Sequence, residues 1–297
     1  VIDTTDVKYK KFPYLLAYDK ALALWQIPFE EKDLKTTYGN AHVIISGPEN
    51  GEPLVLLHGM NATSTMWYPN IKALSERYRV YAIDFLLEPG KSTCDKEISE
   101  TPQIMKWYDE VFKQLGLEDF YLLGASRGGW LATNIALHHK PQVKKLILLS
   151  PAQTFIWIRP GSKALSNLFY HLSPKRKKLR KMLQTVTSDV DSIDQVYIDQ
   201  YYMGLKHSTV NKCFVHMMPF SDKELKALPM PVLVLIGDKD IINNKKSLKR
   251  AKKLIPHIEV GTIKDAGHFL SMDKAGVINK TMVEFLDQQE PGQIVEK

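Results

Sequence analysis

Ser126 lies in Gly124-Ala125-Ser126-Arg127-Gly128, where the apolar run Phe120 to Gly124 ends and a stretch of helical character begins. A serine on a sharp strand-to-helix turn points its hydroxyl outward as a nucleophile, and the turn needs neighbours without bulk, here Gly124 and Gly128. A hydroxyl is a weak nucleophile near neutral pH, so it requires a base. His268, in Asp265-Ala266-Gly267-His268-Phe269, follows the last predicted strand and precedes the final predicted helix. The imidazole in turn needs a carboxylate that fixes its tautomer and stabilises the imidazolium. The strand Val232 to Ile236 runs into Gly237-Asp238-Lys239-Asp240, which offers two carboxylates. Asp240, beyond the strand end, is expected to reach His268, and Asp238 to satisfy loop amides. His58-Gly59-Met60-Asn61 follows another apolar strand, and the Met60 and Arg127 amides are the expected oxyanion donors, with the His58 ring bracing the loop. Such a set performs acyl transfer.

Positioning these groups calls for short apolar runs alternating with helix-length amphipathic stretches, the pattern of an α/β chain with a mostly parallel sheet. Eight strands fit: Phe29 to Thr37, Ala41 to Ser46, Pro53 to His58, Arg79 to Asp84, Phe120 to Gly124, Val143 to Ser150, Pro231 to Gly237 and Ile258 to Ile263. The first two flank Tyr38-Gly39-Asn40 as a hairpin and form the one clear antiparallel pair. Helices are predicted over Thr65 to Tyr78, Pro102 to Leu115, Arg127 to His139, Lys246 to Leu254 and Lys274 to Gln289, with Thr101 as the cap before Pro102. Between about Pro151 and Leu228 the alternation stops. Helical pieces at Lys163 to Leu172, Lys175 to Thr185 and Ser192 to Leu205 replace it, and so long a gap is unlike a structureless loop. The division expected is an α/β core, 1–150 and 229–297, and a helical cap over 151–228.

Composition narrows the function classes. The 297 residues carry ordinary charged and hydrophobic fractions, and no apolar run is long enough to span a membrane. The opening Val1 to Asp6 lacks a basic segment followed by an apolar one, and two cysteines are too few for a disulfide framework, which points to the cytoplasm. Cys213 and His216 have metal-like spacing but no second pair, and His138-His139 is read as favouring the negative end of a helix. No metal or cofactor is therefore expected. The net charge of +7 has local sources in the run Lys175 to Lys181 and the cluster Lys245 to Lys253, both read as solvated helix faces. No nucleic-acid-binding signature accompanies them, and oligomeric state is not legible.

The order Ser126, Asp240, His268 is that of an α/β-hydrolase triad, unlike the orders of chymotrypsin-like or subtilisin-like proteases. The chain resembles the α/β-hydrolases, and among them the bacterial carboxylesterase NP (naproxen esterase) group. The likeness is densest at Ile45 to Glu49, Pro53 to Gly59, Ser64 to Ile71 and Ala266-Gly267-His268 with Ser271-Met272. It implies hydrolysis of a small-molecule carboxylic ester by Ser126, Asp240 and His268. The same triad would serve a lactonase, an amidase, a thioesterase or a hydrolase of carbon–carbon bonds, and the fold also suits a non-catalytic binding protein. Two departures from the wider pattern stand out. The loop after Asp84 reads Phe85-Leu86-Leu87-Glu88-Pro89-Gly90 instead of Arg-Gly-His-Gly, and the residue after the nucleophile, often apolar, is Arg127. Arg127 is expected either to pair with a cap carboxylate or to bind an acidic substrate. Met60, Trp67, Trp130, Phe155, Trp157 and Phe269 are candidates for an apolar acyl pocket.

Overall fold

The structure, a computed structural model, describes residues 12–158, 174–207 and 216–288. Eight strands form one sheet in the order β1-β2-β4-β3-β5-β6-β7-β8: β1 Phe29–Thr36, β2 Gly39–Ser46, β3 Glu52–Leu57, β4 Tyr78–Ile83, β5 Phe120–Ala125, β6 Val143–Leu149, β7 Val232–Gly237 and β8 Ile258–Ile263. All eight expected strands are present. The sheet has two antiparallel ladders, not one, because β2 alone runs against the rest and pairs with both β1 and β4. The tight links on either side of β2, residues 37–38 and 47–51, reverse the chain twice and leave no room for a crossover.

Alternation along the central strands builds two cores. Val55, Leu57, Leu122, Leu148 and Val234 face one side, and Leu54, Leu56, Leu123, Leu149 and Leu235 face the other. All six residues of β7 are buried, as in a strand covered on both faces. The first side is covered by α3 Thr101–Leu115, α4 Arg127–His138 and α8 Lys245–Leu254. The second is covered by α1 Pro13–Leu22, α2 Ile71–Ser75, α5 Arg176–Val186, α6 Gln195–His207 and α10 Ala275–Asp287. The short helices α7 Asp222–Lys226 and α9 Leu270–Asp273 complete the α-helices among the described residues.

Two of the expected helices differ in the structure. The segment Thr65 to Tyr78 is a 3₁₀ turn, Ser64–Trp67, and then α2, because Pro69 has no amide with which to continue the ladder. In α3 the cap is Glu100 and not Thr101: the Gln103 side-chain oxygen reaches back to accept from the Ser99 and Glu100 amides at 2.9 and 3.0 Å. The last predicted helix, Lys274 to Gln289, is present as α10, and the short α9 precedes it, set off by Lys274, which leaves helical geometry with φ −135°. Within 151–228, α5 and α6 lie close to the predicted pieces, and Lys163 to Leu172 and Cys213 fall outside the described residues. The basic run follows the amphipathic reading, since Leu179, Met182, Leu183 and Val186 are buried while Lys177, Lys178, Arg180 and Lys181 are exposed. Among the described residues no helix is long and apolar enough to cross a membrane.

Candidate active site

The elbow forms because β5 and α4 meet with almost no space between them. A Cβ on Gly124 would lie 2.2 Å from the Gly128 carbonyl oxygen, and one on Gly128 would lie 2.1 Å from that of Leu57. Between them Ser126 sits at φ 52° and ψ −116°, a conformation that L residues rarely adopt. Its backbone is held on both sides: the amide donates to Leu149 O at 2.9 Å, and the carbonyl accepts from the Gly129 and Ala152 amides, each at 3.0 Å. The hydroxyl is thereby pushed out of the sheet edge into a cavity.

Three side chains from three loops meet there. Ser126 Oγ is 2.8 Å from His268 Nε2, and His268 Nδ1 is 2.9 Å from Asp240 Oδ1. Asp240 comes from the loop after β7 and His268 from the loop after β8. The Asp240 side chain is buried, and its oxygens also accept from the Ile242 amide at 2.8 Å and the Asn243 side-chain amide at 3.1 Å. Burial pushes its carboxyl upward, but the adjacent His268 ring and these hydrogen bonds outweigh it and hold the group below the usual carboxylate range. An ionised carboxylate accepts the Nδ1 hydrogen, which leaves Nε2 free to accept from the serine. Asp238 turns away and accepts from the Ala266 amide at 3.2 Å.

The loop of His268 is fastened at its base. Asp273 Oδ2 accepts from the Gly267 amide at 2.6 Å and the Ser188 amide at 2.8 Å, and the Phe269 amide donates to Val186 O at 2.8 Å. Sequence reasoning missed Asp273, whose only signal was an acid six residues past a glycine.

Opposite the serine lies the loop 58–61. Gly59 is close enough that a Cβ there would stand 3.4 Å from Ser126 Cβ. The Phe85 amide donates to His58 Nε2 at 2.9 Å, so the ring hydrogen resides on Nδ1 and is given to Gly59 O at 2.9 Å. The His58 ring thus braces this loop. The Met60 and Arg127 amides donate to no protein acceptor among the described residues, as donors reserved for a ligand would.

The two sequence departures meet in one contact. Arg127 Nη1 donates to Glu88 Oε1 at 2.6 Å, and the two side chains are only 13% and 4% exposed. Its carboxylate partner is on the loop after β4 and not on the cap. The guanidinium also stands 5.2 Å from the Phe85 ring centre, and Glu88 Oε2 accepts from the Asn61 amide at 2.8 Å. Glu88 therefore joins the residue after the nucleophile to the loop of Met60. A lone acid among Phe85, Leu86, Leu87 and Pro89, with a lone arginine in an apolar turn, was the available signal.

The cavity over Ser126 is lined chiefly by apolar groups, among them Met60, Met66, Leu149, Tyr197, Phe269 and Met272. Of the aromatic pocket candidates only Phe269 lines it. Trp67, Trp130 and Phe155 are buried in the core, where the Trp130 ring nitrogen donates to Met218 O at 3.0 Å, and Trp157 is 58% exposed on the surface. Trp130 and Phe155 belong to the core on the other face of the sheet from Met66, Leu149, Tyr197 and Met272, while Trp67 shares that face without lining the cavity.

Residues 52–172 match the alpha/beta hydrolase fold family. The chain is 31% identical over 287 residues to the uncharacterised carboxylesterase nap of Bacillus subtilis, covering 93% of each chain. It is also 31% identical to the carboxylesterase YbfK of the same organism, over 91% of this chain and 92% of that one. The crystal structure of naproxen esterase (carboxylesterase NP) from Bacillus subtilis superposes with a TM-score of 0.86 at 32% identity, over 92% of this chain and 97% of that one.

Proposed function

The chain belongs to the alpha/beta-hydrolase fold family, and from that premise we propose that it cleaves carboxylic esters through an acyl-enzyme formed on Ser126. It is a carboxylesterase-type hydrolase. The observation that carries the mechanism is the unbroken line from Ser126 Oγ through His268 to the buried Asp240 carboxylate.

Ser126 Oγ attacks the ester carbonyl while His268 Nε2 takes its proton. The oxyanion receives hydrogen bonds from the Met60 and Arg127 amides, and the imidazolium is balanced by Asp240. Collapse expels the alcohol, which takes its proton from His268 Nε2. Water then gives a proton to the same nitrogen and attacks the acyl-serine, releasing the acid. The apolar lining around Met66, Leu149, Tyr197 and Met272 favours an uncharged acyl group. Arg127 is engaged by Glu88, so it takes no part in binding an acidic substrate.

The test pairs a fluorophosphonate probe with a panel of nitrophenyl esters, using the chain and its Ser126→Ala variant. Labelling and turnover are expected in the first and neither in the second. An unmutated chain that is neither labelled nor active would overturn the proposal in favour of a binding protein on this fold.

A further inference from the structure

We propose that Asp109, His138 and His139 form a binding site for a borderline divalent transition ion of the zinc kind, remote from Ser126. The donor set is two imidazoles and a carboxylate, all within 4.8 Å of one another. Asp109 lies on α3, His138 is the last residue of α4 and His139 is its cap. Consecutive residues inside a helix diverge by about 100°, which follows from its 3.6-residue turn. His139 leaves helical geometry at φ −107° and ψ 42°, and this brings the two rings to 4.8 Å between centres, nearly perpendicular.

Both Nε2 atoms then address the same oxygen. Asp109 Oδ1 is 2.8 Å from His139 Nε2 and 3.2 Å from His138 Nε2, which is also 3.3 Å from Asp109 Oδ2. Ligands about 2.0–2.1 Å from a tetrahedral ion stand roughly 3.3 Å apart, so the His138 separation matches one shared coordination shell and the His139 pair would open by about 0.5 Å to admit the ion. The hydrogen-bond pattern points the same way. His139 Nδ1 faces the side-chain oxygen of Gln142, which can only accept, so Nδ1 carries a hydrogen, and in the neutral ring Nε2 presents its lone pair. His139 Nε2 and Asp109 Oδ1 are buried and neither makes a hydrogen bond among the described residues, although they are an ion-pair distance apart. With the ring neutral, two electron-rich atoms so close call for a cation between them. Imidazole with carboxylate suits zinc, nickel, cobalt or copper better than magnesium or calcium. His138 and Asp109 are 47% and 41% exposed, which gives an ion a path in and leaves positions for water. The bound ion would tie α3 to α4 and supply the positive charge that the C-terminal end of α4 favours.

The proposal does not rest on the esterase reading, because the full length of the twelve-residue α4, about 18 Å, separates the pair from Ser126. The experiment is calorimetric titration of the untagged, metal-stripped chain with zinc chloride alone, beside His138→Gln, Asp109→Asn and Gln142→Leu. A parallel cobalt titration is followed by visible absorption. One ion per chain is expected, with visible cobalt bands, about tenfold or greater weakening in the first two variants and a smaller loss in the third. Turnover of a nitrophenyl ester should be unchanged in all three. Absence of saturable uptake would overturn the proposal in favour of a protonated ring paired with Asp109. So would uptake equal in the chain and both ligand variants, which would put the ion elsewhere.

Discussion

Glu88→Ala tests whether the two proposed oxyanion donors are held in register by one side chain. Glu88 accepts from Arg127 Nη1 at 2.6 Å and from the Asn61 amide at 2.8 Å, so its removal strands a guanidinium and a backbone N–H together. Breaking a buried ion pair from one side costs about 3–5 kcal/mol, and the 13% exposure of Arg127 with its Phe85 contact argues for about 3. The orphaned Asn61 amide adds about 1 kcal/mol, because it lies on a loop that can admit water. Complete loss of an oxyanion donor lowers kcat by about 10²–10³, so a displaced donor should cost roughly tenfold to a hundredfold. The assay is steady-state turnover of a nitrophenyl ester with a parallel melting curve. A fall in kcat with nearly constant KM is expected, since the donors act on the oxyanion and not on the bound ester. Glu88→Leu with Arg127→Leu should recover most of the melting temperature, having removed the stranded charge, yet remain slow because the Asn61 amide is still unpaired. Unchanged kcat in Glu88→Ala at a lowered melting temperature would refute the reasoning and reduce Glu88 to a packing role.

Asp240→Asn should leave the fold intact and lower kcat by about 10⁴, through the wrong imidazole tautomer, as measured by ester turnover and by the rate of fluorophosphonate labelling. Gly128→Ala would drive a methyl group to 2.1 Å from the Leu57 carbonyl, and a loss of at least about 1–3 kcal/mol should appear in chemical unfolding. Glu31 is a pH test: burial pushes its carboxyl upward, but His42 and Lys91 outweigh this and bring it down to about 2. Its contribution to stability is therefore present above the ordinary carboxylate range and lost as pH falls toward about 2. Glu31→Gln should flatten that acid limb in melting curves recorded across the window and change little at higher pH by this route.

The sheet was legible because its strands are written as short apolar runs closed by turn residues, and Val232 to Gly237 reads almost as observed. The elbow was legible for a stronger reason: only glycine fits at 124 and 128, so the motif and its geometry are one fact. The split at Pro69 could have been read from the proline itself. Glu88 and Arg127 were harder, since they lie 39 residues apart and pair only because β4 and β5 flank β3. Periodicity reports which face of an element is buried, but not which neighbour covers it. For that reason most of the aromatic candidates were misplaced, with Trp67 and Trp130 recognisable as core residues but not as lying outside the cavity over the serine. Tyr197 and Met272, which do line the cavity, come from separate elements whose convergence no local pattern announces.

The anchorage of Gly267 and Phe269 to Asp273 and Val186 bears on how this chain can be re-engineered. Exchanging the helices between β6 and β7 for those of a relative is an obvious route to new selectivity, and the natural place to cut would be the end of α5. That cut passes through the residues that hold the base. A chimera joined before Val186 would inherit a foreign segment under its own imidazole, with the Ser188 and Val186 contacts left to chance. Junctions set after Asp189 would instead exchange α6 while keeping the support of His268 native.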